Sequence, residues 1–159
     1  TLDTRTEMDI IKTHDSTWIK SVAVNSIEDI RKYVRTYGPT VIGIDEVQFL
    51  SGDLTEIKET LEGFLKKGLT VVLAGLDLDF QGQAFEVLKE LMPVADYVHK
   101  HHAVCTRCGT DAWVSSRKSD ETSRVVIGAV DEYEPLCRKC YDAEQKKRAI
   151  TKDQVKLDL

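Results

Sequence analysis

Two short stretches of the chain, residues 40–44 and 69–74, are apolar at nearly every position, and the residues between them are apolar at helical spacing. Ile57, Leu61, Phe64 and Leu65 share one helical face, which predicts a helix over about residues 55–67 stopped by Gly68. Strand, helix and strand, with both strands apolar throughout, is the pattern of a right-handed parallel crossover whose strands are buried on both faces. The predicted core is therefore α/β. Upstream, alternation at Trp18, Val22 and Val24 predicts a short strand over 18–24. Ser26 then stands as the N-cap of a helix with Glu28 and Asp29 in its first turn. Ile27, Ile30 and Val34 form its apolar face, and Gly38-Pro39 ends it. Downstream, Phe85, Val87, Leu88 and Leu91 predict a further helix ending near Pro93, and residues 97–104 read as a third buried strand. Residues 144–159 are charged and weakly amphipathic, the pattern of a solvated helix or frayed tail.

The first apolar strand stops at two adjacent carboxylates, Asp45 and Glu46. Burying either acid unpaired carries a large desolvation cost, so this strand end reads as the mouth of an active site or as an acidic turn. The segment from Gly75 through Leu76 and Asp77 to Phe80 leaves the second strand at the same sheet edge, because parallel strands share their carboxyl ends. In open α/β sheets ligands bind at that edge.

Composition narrows the class. The 159 residues suffice for one α/β core and a small appended module, and 42% hydrophobic with 31% charged residues is ordinary for a globular protein. A net charge of -5 supplies no general attraction to nucleic acid or anionic membrane. Without an apolar run of transmembrane length or a signal peptide, the expected location is cytoplasmic.

All four cysteines fall in two Cys-x-x-Cys pairs, Cys105 with Cys108 and Cys137 with Cys140, separated by 28 residues. In a reducing compartment that arrangement favours a metal over disulfides. Four thiolates close a tetrahedral zinc site with no open position, so the expected Zn2+ is structural. Gly109 suits the turn after Cys108. His99, His101 and His102 lie just upstream, but with four thiolates available they read as a solvated or partly packed strand end. The two cysteine pairs pin the ends of the loop between them. Its polar part, Arg117 to Ser123, reads as mobile; its apolar part, Val125 to Gly128, is suited to pack over a ligand.

These motifs together resemble the zinc-containing, tetrameric thymidine kinases. The resemblance rests on Ile44-Asp45-Glu46-Val47-Gln48-Phe49, on Gly75-Leu76-Asp77 with Phe80 and Phe85, on Ala103-Val104-Cys105 with Cys108-Gly109, and on Ile127-Gly128 with Tyr133 before Cys137-Arg138 and Cys140-Tyr141. Asp3-Thr4-Arg5, by itself a solvated turn, also resembles a segment of that family. The matches run in family order from residue 3 to 141. The resemblance implies a parallel sheet like that of the P-loop nucleoside triphosphatases, flanked by helices, with a small zinc-ribbon-like lasso domain. It divides the chain into a nucleotide-kinase core over 1–102, a zinc and lasso domain over 103–143 and a charged tail over 144–159. The implied reaction moves the γ-phosphate of ATP to the 5′-hydroxyl of thymidine, with Mg2+ bound alongside ATP. Glu46 becomes the general base, Asp45 holds magnesium through water, Arg5 lies near the phosphates and Asp3 supports it. Phe80 and Phe85 are implied walls of the thymine pocket, with Phe49 and Leu76 beside them. Ser115, Ile127, Gly128 and Tyr133 belong to the lasso that holds the base. Trp113 and Val114 depart from the commoner residues at their positions. A homotetramer is implied as well.

One expected motif is missing from these residues. No Gly-x-x-x-x-Gly-Lys-[Ser/Thr] loop occurs; the nearest run, Gly63 to Thr70, lacks the lysine and passes from helix into strand, the wrong order for aiming amides at phosphate. The family's phosphate loop is expected before Thr1, and the 159 residues alone are expected to bind ATP poorly and catalyse little. Two other readings compete with the kinase: a non-catalytic relative that binds nucleoside or a partner, and a general ATPase in which Asp45 and Glu46 activate water.

Overall fold

The computed structural model describes the backbone of residues 10–12, 18–119, 123 and 132–157, with the side chains of 21–119, 123 and 132–150. The chain divides into two units, Thr1–Gly75 and Leu76–Leu159.

In the first unit, β1 (Ile10–Lys12) and β2 (Trp18–Lys20) form an antiparallel pair. The strand expected over 18–24 is thus shorter, and its partner lies in a stretch too polar to read as a strand. Helix α1 (Ile27–Tyr37) begins as expected. The Ser26 hydroxyl accepts the Asp29 N–H at 3.3 Å while the Asp29 carboxylate accepts the Ser26 N–H at 3.1 Å, a reciprocal capping box. Gly38, at φ 54°, ends the helix in the left-handed conformation.

β3 (Val41–Ile44) and β4 (Thr70–Leu73) pair in parallel, with Val41 opposite Thr70 and Ile44 opposite Leu73, and α2 (Leu54–Lys66) makes the crossover. The α/β core with a parallel sheet is therefore present. Among the described residues, one face of that sheet is covered. Ile42, Ile44, Val71 and Leu73 share the covered face, whereas Val41 and Val72, on the opposite face, are 58% and 56% exposed. Helix α2 packs on β4 and α1 packs on α2, so among the described residues the helical layer lies on one side. Ile27, Ile30, Val47, Ile57, Leu61 and Phe64 fill that layer. Arg31 ties the two helices by donating to Glu56 at 2.8 Å and to the Thr60 hydroxyl at 2.6 Å.

The second unit opens with a tight loop at 79–83, followed by α3 (Glu86–Leu91) and a 3-10 turn, Met92–Val94, that contains Pro93. The buried strand expected over 97–104 does not form. Tyr97, Val98 and Val104 are 85%, 51% and 66% exposed, and the segment's only described ladder contact is the isolated bridge from Val104 to Asp111. Among the described residues no strand lies alongside it, and apolar content alone does not make a strand. β5 (Val114–Arg117) pairs antiparallel with β6 (Tyr133–Leu136), and α4 (Arg138–Leu157) follows. Ala112, Val114, Leu136 and Tyr141 form the core here around Cys105, with Trp113 packed against them. α4 runs without interruption from Arg138 into the charged stretch, the helical one of the two forms expected there.

Candidate functional site

Asp45 and Glu46 leave the carboxyl end of β3, and both are exposed. The ladder extends past the strands: the Ala74 N–H donates to the Ile44 carbonyl at 2.9 Å and the Val47 N–H to the Ala74 carbonyl at 3.0 Å. Between those anchors the chain turns sharply. Glu46 takes φ 52° and ψ 38°, and among the described residues it is the one non-glycine with positive φ. A left-handed conformation at such a residue costs about 1–3 kcal/mol and persists only where its surroundings hold it. The Glu46 N–H donates to the Asp45 carboxylate at 2.9 Å, and the buried Gln48 side chain donates through Nε2 to Glu46 Oε2. A 3-10 turn, Val47–Phe49, completes the corner. The two acids and Phe49 border a cavity of about 140 Å³, with Val24 and Asn25 across from them. Phe49 itself is half exposed.

Gln48 and Gly75 were not legible as site residues. Gln48 is 7% exposed, and a Cβ at Gly75 would run into its Oε1 and into Val47. A glutamine flanked by apolar residues just after two acids was the available signal for Gln48; a glycine directly after a strand was the signal for Gly75.

In the second unit, the Asp79 carboxylate accepts the N–H groups of Gln81 at 3.0 Å and Gln83 at 2.9 Å, closing the 79–83 loop on itself. Phe80 stands on that loop and borders a cavity of about 420 Å³ with Gln83, Ala84, Glu86 and Lys89. Phe85 caps α3, is buried, and donates its N–H to the Asp77 carbonyl at 3.0 Å. Leu76 is 48% exposed. Ser115 lies on β5 opposite Pro135, and Tyr133 stands on β6 opposite Arg117. Asp3, Arg5, Ile127 and Gly128 lie outside the described residues.

Arg117, expected to open a mobile polar run, is instead a strand residue only 1% exposed. Its guanidinium lies 3.8 Å from the centroid of the Phe80 ring and donates to the Tyr133 hydroxyl at 2.7 Å. The polar residues after it had hidden it.

The four cysteine sulfurs all lie within 4.8 Å of one another. Sulfurs at the corners of a tetrahedron around zinc, with Zn–S near 2.3 Å, stand about 3.8 Å apart; Cys108 and Cys137 are at 3.6 Å. The four thiols therefore fit a metal ion such as zinc. Backbone turns hold the two pairs: the Gly109 N–H donates to the Cys105 carbonyl at 2.9 Å, with Gly109 at φ 75°, and the Tyr141 N–H donates to the Cys137 carbonyl at 2.9 Å. The Cys137 N–H, ahead of those of Arg107 and Cys108, favours the Cys105 thiolate and brings its pKa down to about 6. Cys137 is lowered chiefly by the Cys140 N–H, and Cys140, the proton donor to its neighbours, is pushed up to about 12. Amides aimed at sulfur pre-organise the thiolate form a metal requires. No histidine joins this cluster among the described residues; His102 Nδ1 instead meets the Ala112 carbonyl at 2.9 Å.

Charged side chains brace this knuckle. Arg107 donates to Glu134 at 2.6 Å and to Glu144 at 2.8 Å, and Arg148 pairs with Glu144 at 3.0 Å while donating to the Arg117 carbonyl at 2.7 Å. Arg107, first among its partners, holds the Glu134 and Glu144 carboxyls below the usual range. The stretch expected to be a solvated helix or a frayed tail is helical, and through Arg148 it clamps the end of β5.

The family model described as thymidine kinase matches residues 1–141. The chain belongs to the thymidine kinase family. It is 40% identical over 135 residues to a thymidine kinase of Rhodothermus sp. (strain ITI 518), covering 85% of this chain and 61% of that protein. It is 39% identical over 140 residues to the thymidine kinase of Bacteroides thetaiotaomicron, covering 88% and 68%. To a thymidine kinase of Bacteroides fragilis (strain YCH46) it is 37% identical over 155 residues, covering 98% and 73%. The chain thus spans roughly three fifths to three quarters of the length of these thymidine kinases. No helix among the described residues is long and apolar enough to cross a membrane.

Proposed function

We propose that the chain is the nucleoside-handling part of a thymidine kinase, a cytoplasmic phosphotransferase that moves the γ-phosphate of ATP to the 5′-hydroxyl of thymidine. The observation that carries this reading is Glu46: a carboxylate at the carboxyl end of a parallel strand, held in a strained left-handed backbone and fixed by Gln48, in a chain of this family. Strain and orientation are spent where a carboxylate must meet a proton. In the reaction the 5′-oxygen bonds to the γ-phosphorus, the bond from phosphorus to the β,γ-bridging oxygen breaks, ADP leaves, and Glu46 accepts the hydroxyl proton. Asp45, exposed and adjacent, offers the hard oxygen donor that a largely hydrated Mg2+ takes through water. That ion, bound with ATP, offsets charge on the phosphates.

Arg5 and Asp3 are assigned to the phosphates. Phe80, Phe85, Leu76 and Phe49 are assigned to the thymine pocket and its surroundings, and Ser115, Ile127, Gly128 and Tyr133 to the lasso. These roles follow from the family resemblance, as do the P-loop-like sheet and the homotetramer. Zinc on the four cysteines is structural in this reading, since four thiolates leave no coordination position for substrate. Calorimetric titration of the zinc-loaded chain with thymidine, alongside adenosine, tests the nucleoside assignment. Saturable binding of thymidine alone is expected; equal or absent binding of both contradicts it.

A further inference from the structure

Phe80 is gripped at two points. Its carbonyl accepts a hydrogen bond from the Tyr141 hydroxyl at 3.2 Å, one residue beyond the metal-fitting Cys140. Its ring carries the Arg117 guanidinium 3.8 Å from its centroid. The loop that presents it is already stiffened by Asp79. The same guanidinium lies 5.3 Å from the centroid of the Tyr133 ring and donates to that residue's hydroxyl at 2.7 Å. It also donates to the Ser123 carbonyl. Arg117 and Tyr133 are directly opposed in the β5–β6 ladder, so the strand register itself brings them together.

We infer that Arg117 is a positioning residue: one buried guanidinium, locked by the β5–β6 register, sets the ring of Phe80 relative to Tyr133 and so shapes the surface that receives the pyrimidine. The inference rests on the nucleoside-binding reading given above. Burying a guanidinium carries a desolvation cost that an aliphatic side chain of similar volume avoids. What the guanidinium adds is direction. A flat, forked cation stacks on one ring while its N–H groups bond in the plane, a combination that lysine, a compact point charge, does not reproduce. Arg148 and Tyr141 extend the arrangement, since α4 holds the Arg117 carbonyl and the Phe80 carbonyl at once. The metal-fitting knuckle and the aromatic pair are thereby joined through named contacts rather than through general packing.

The test uses the zinc-loaded protein carrying fluorophenylalanine in place of phenylalanine. With Phe at only four positions in the chain, the fluorine spectrum is assignable, and Phe49 and Phe64 serve as internal controls in the other unit. Arg117→Lys and Tyr133→Phe are each compared with wild type for zinc content, melting temperature, the Phe80 resonance and the thymidine dissociation constant. Arg117→Lys is expected to shift and broaden the Phe80 signal, leave those of Phe49 and Phe64 in place, retain zinc, and weaken thymidine binding about tenfold. Tyr133→Phe keeps the ring and should move the Phe80 signal in the same direction by a smaller amount. An unchanged Phe80 resonance with unchanged thymidine affinity in Arg117→Lys would overturn the inference, even if the variant melts lower, because a merely structural arginine would alter stability alone. If wild type binds no thymidine, the functional reading fails, and the Phe80 resonance still decides whether Arg117 positions that ring. Should Arg117→Lys not fold, Tyr133→Phe decides: a Phe80 resonance that stays in place overturns the inference.

Discussion

Gln48 donates its side-chain amide to the carboxylate of Glu46 from a buried position two residues further along, inside the 3-10 turn that Glu46 begins. The interaction fixes which way the carboxylate faces at a backbone position that is strained in any case. Gln48→Leu keeps side-chain bulk and removes the donor. It is expected to lower turnover of the full-length enzyme by about tenfold to a hundredfold, the scale on which a small misplacement of a reacting group is felt, with the KM for thymidine little changed. Steady-state kinetics check this.

Gly75 is required by the same corner. A Cβ there would strike Gln48 Oε1 and press on Val47, which is 1% exposed. Gly75→Ala is expected to destabilise the first unit by about 1–3 kcal/mol, the usual cost of overpacking. A drop in the denaturant midpoint with an unchanged slope would bear this out; wild-type stability would contradict it.

The four-cysteine site predicts about one zinc per chain, measurable by atomic emission, and loss of ordered structure in the second unit on strong chelation, because such sites contribute on the order of 10 kcal/mol to folding. Cys137→Ser should lower zinc content and expose the Leu136–Tyr141 core. A freshly purified, folded sample without zinc would refute the assignment.

Asp29 makes the stability of α1 depend on pH. The Ser26 hydroxyl, followed by the Asn25 N–H, holds its carboxyl below the usual value. A group whose folded pKa is depressed contributes stability above its unfolded pKa, about 3.9 for aspartate, and loses it as pH falls through the folded value. Asp29→Asn should therefore melt below wild type at pH 7, with the gap closing as the pH falls below about 4. Thermal melts of both proteins across that range test it. A gap independent of pH would show that the charge is not what matters.

The local rules were readable where one residue decides the outcome. Ser26 and Asp29 announced a helix start, Gly38 its end, and the two Cys-x-x-Cys pairs a metal-fitting cluster, because each works through contacts within a few residues of itself. Arg117 was not readable. Its partners, Phe80 and Tyr133, lie 37 and 16 residues away, and nothing local distinguishes a buried strand-end arginine from the first charge of a solvated run. Residues 97–104 failed for the opposite reason: Tyr97 and Val98 fit a strand locally, but among the described residues no strand pairs with them. The helix over the charged tail was one of the two forms its pattern allowed, but its contacts were not readable, because Glu144 and Arg148 form ion pairs and bond to carbonyls rather than bury apolar surface.

Glu46 is proposed to take the proton from the 5′-hydroxyl of thymidine. The most direct test is ATP-dependent formation of thymidine monophosphate by full-length, zinc-loaded protein, wild type against Glu46→Gln. The predicted result is product from wild type and a rate about a hundredfold to ten-thousandfold lower in the variant, with zinc content and melting temperature retained. Equal rates in the two proteins, or no product from the intact wild type, would contradict it.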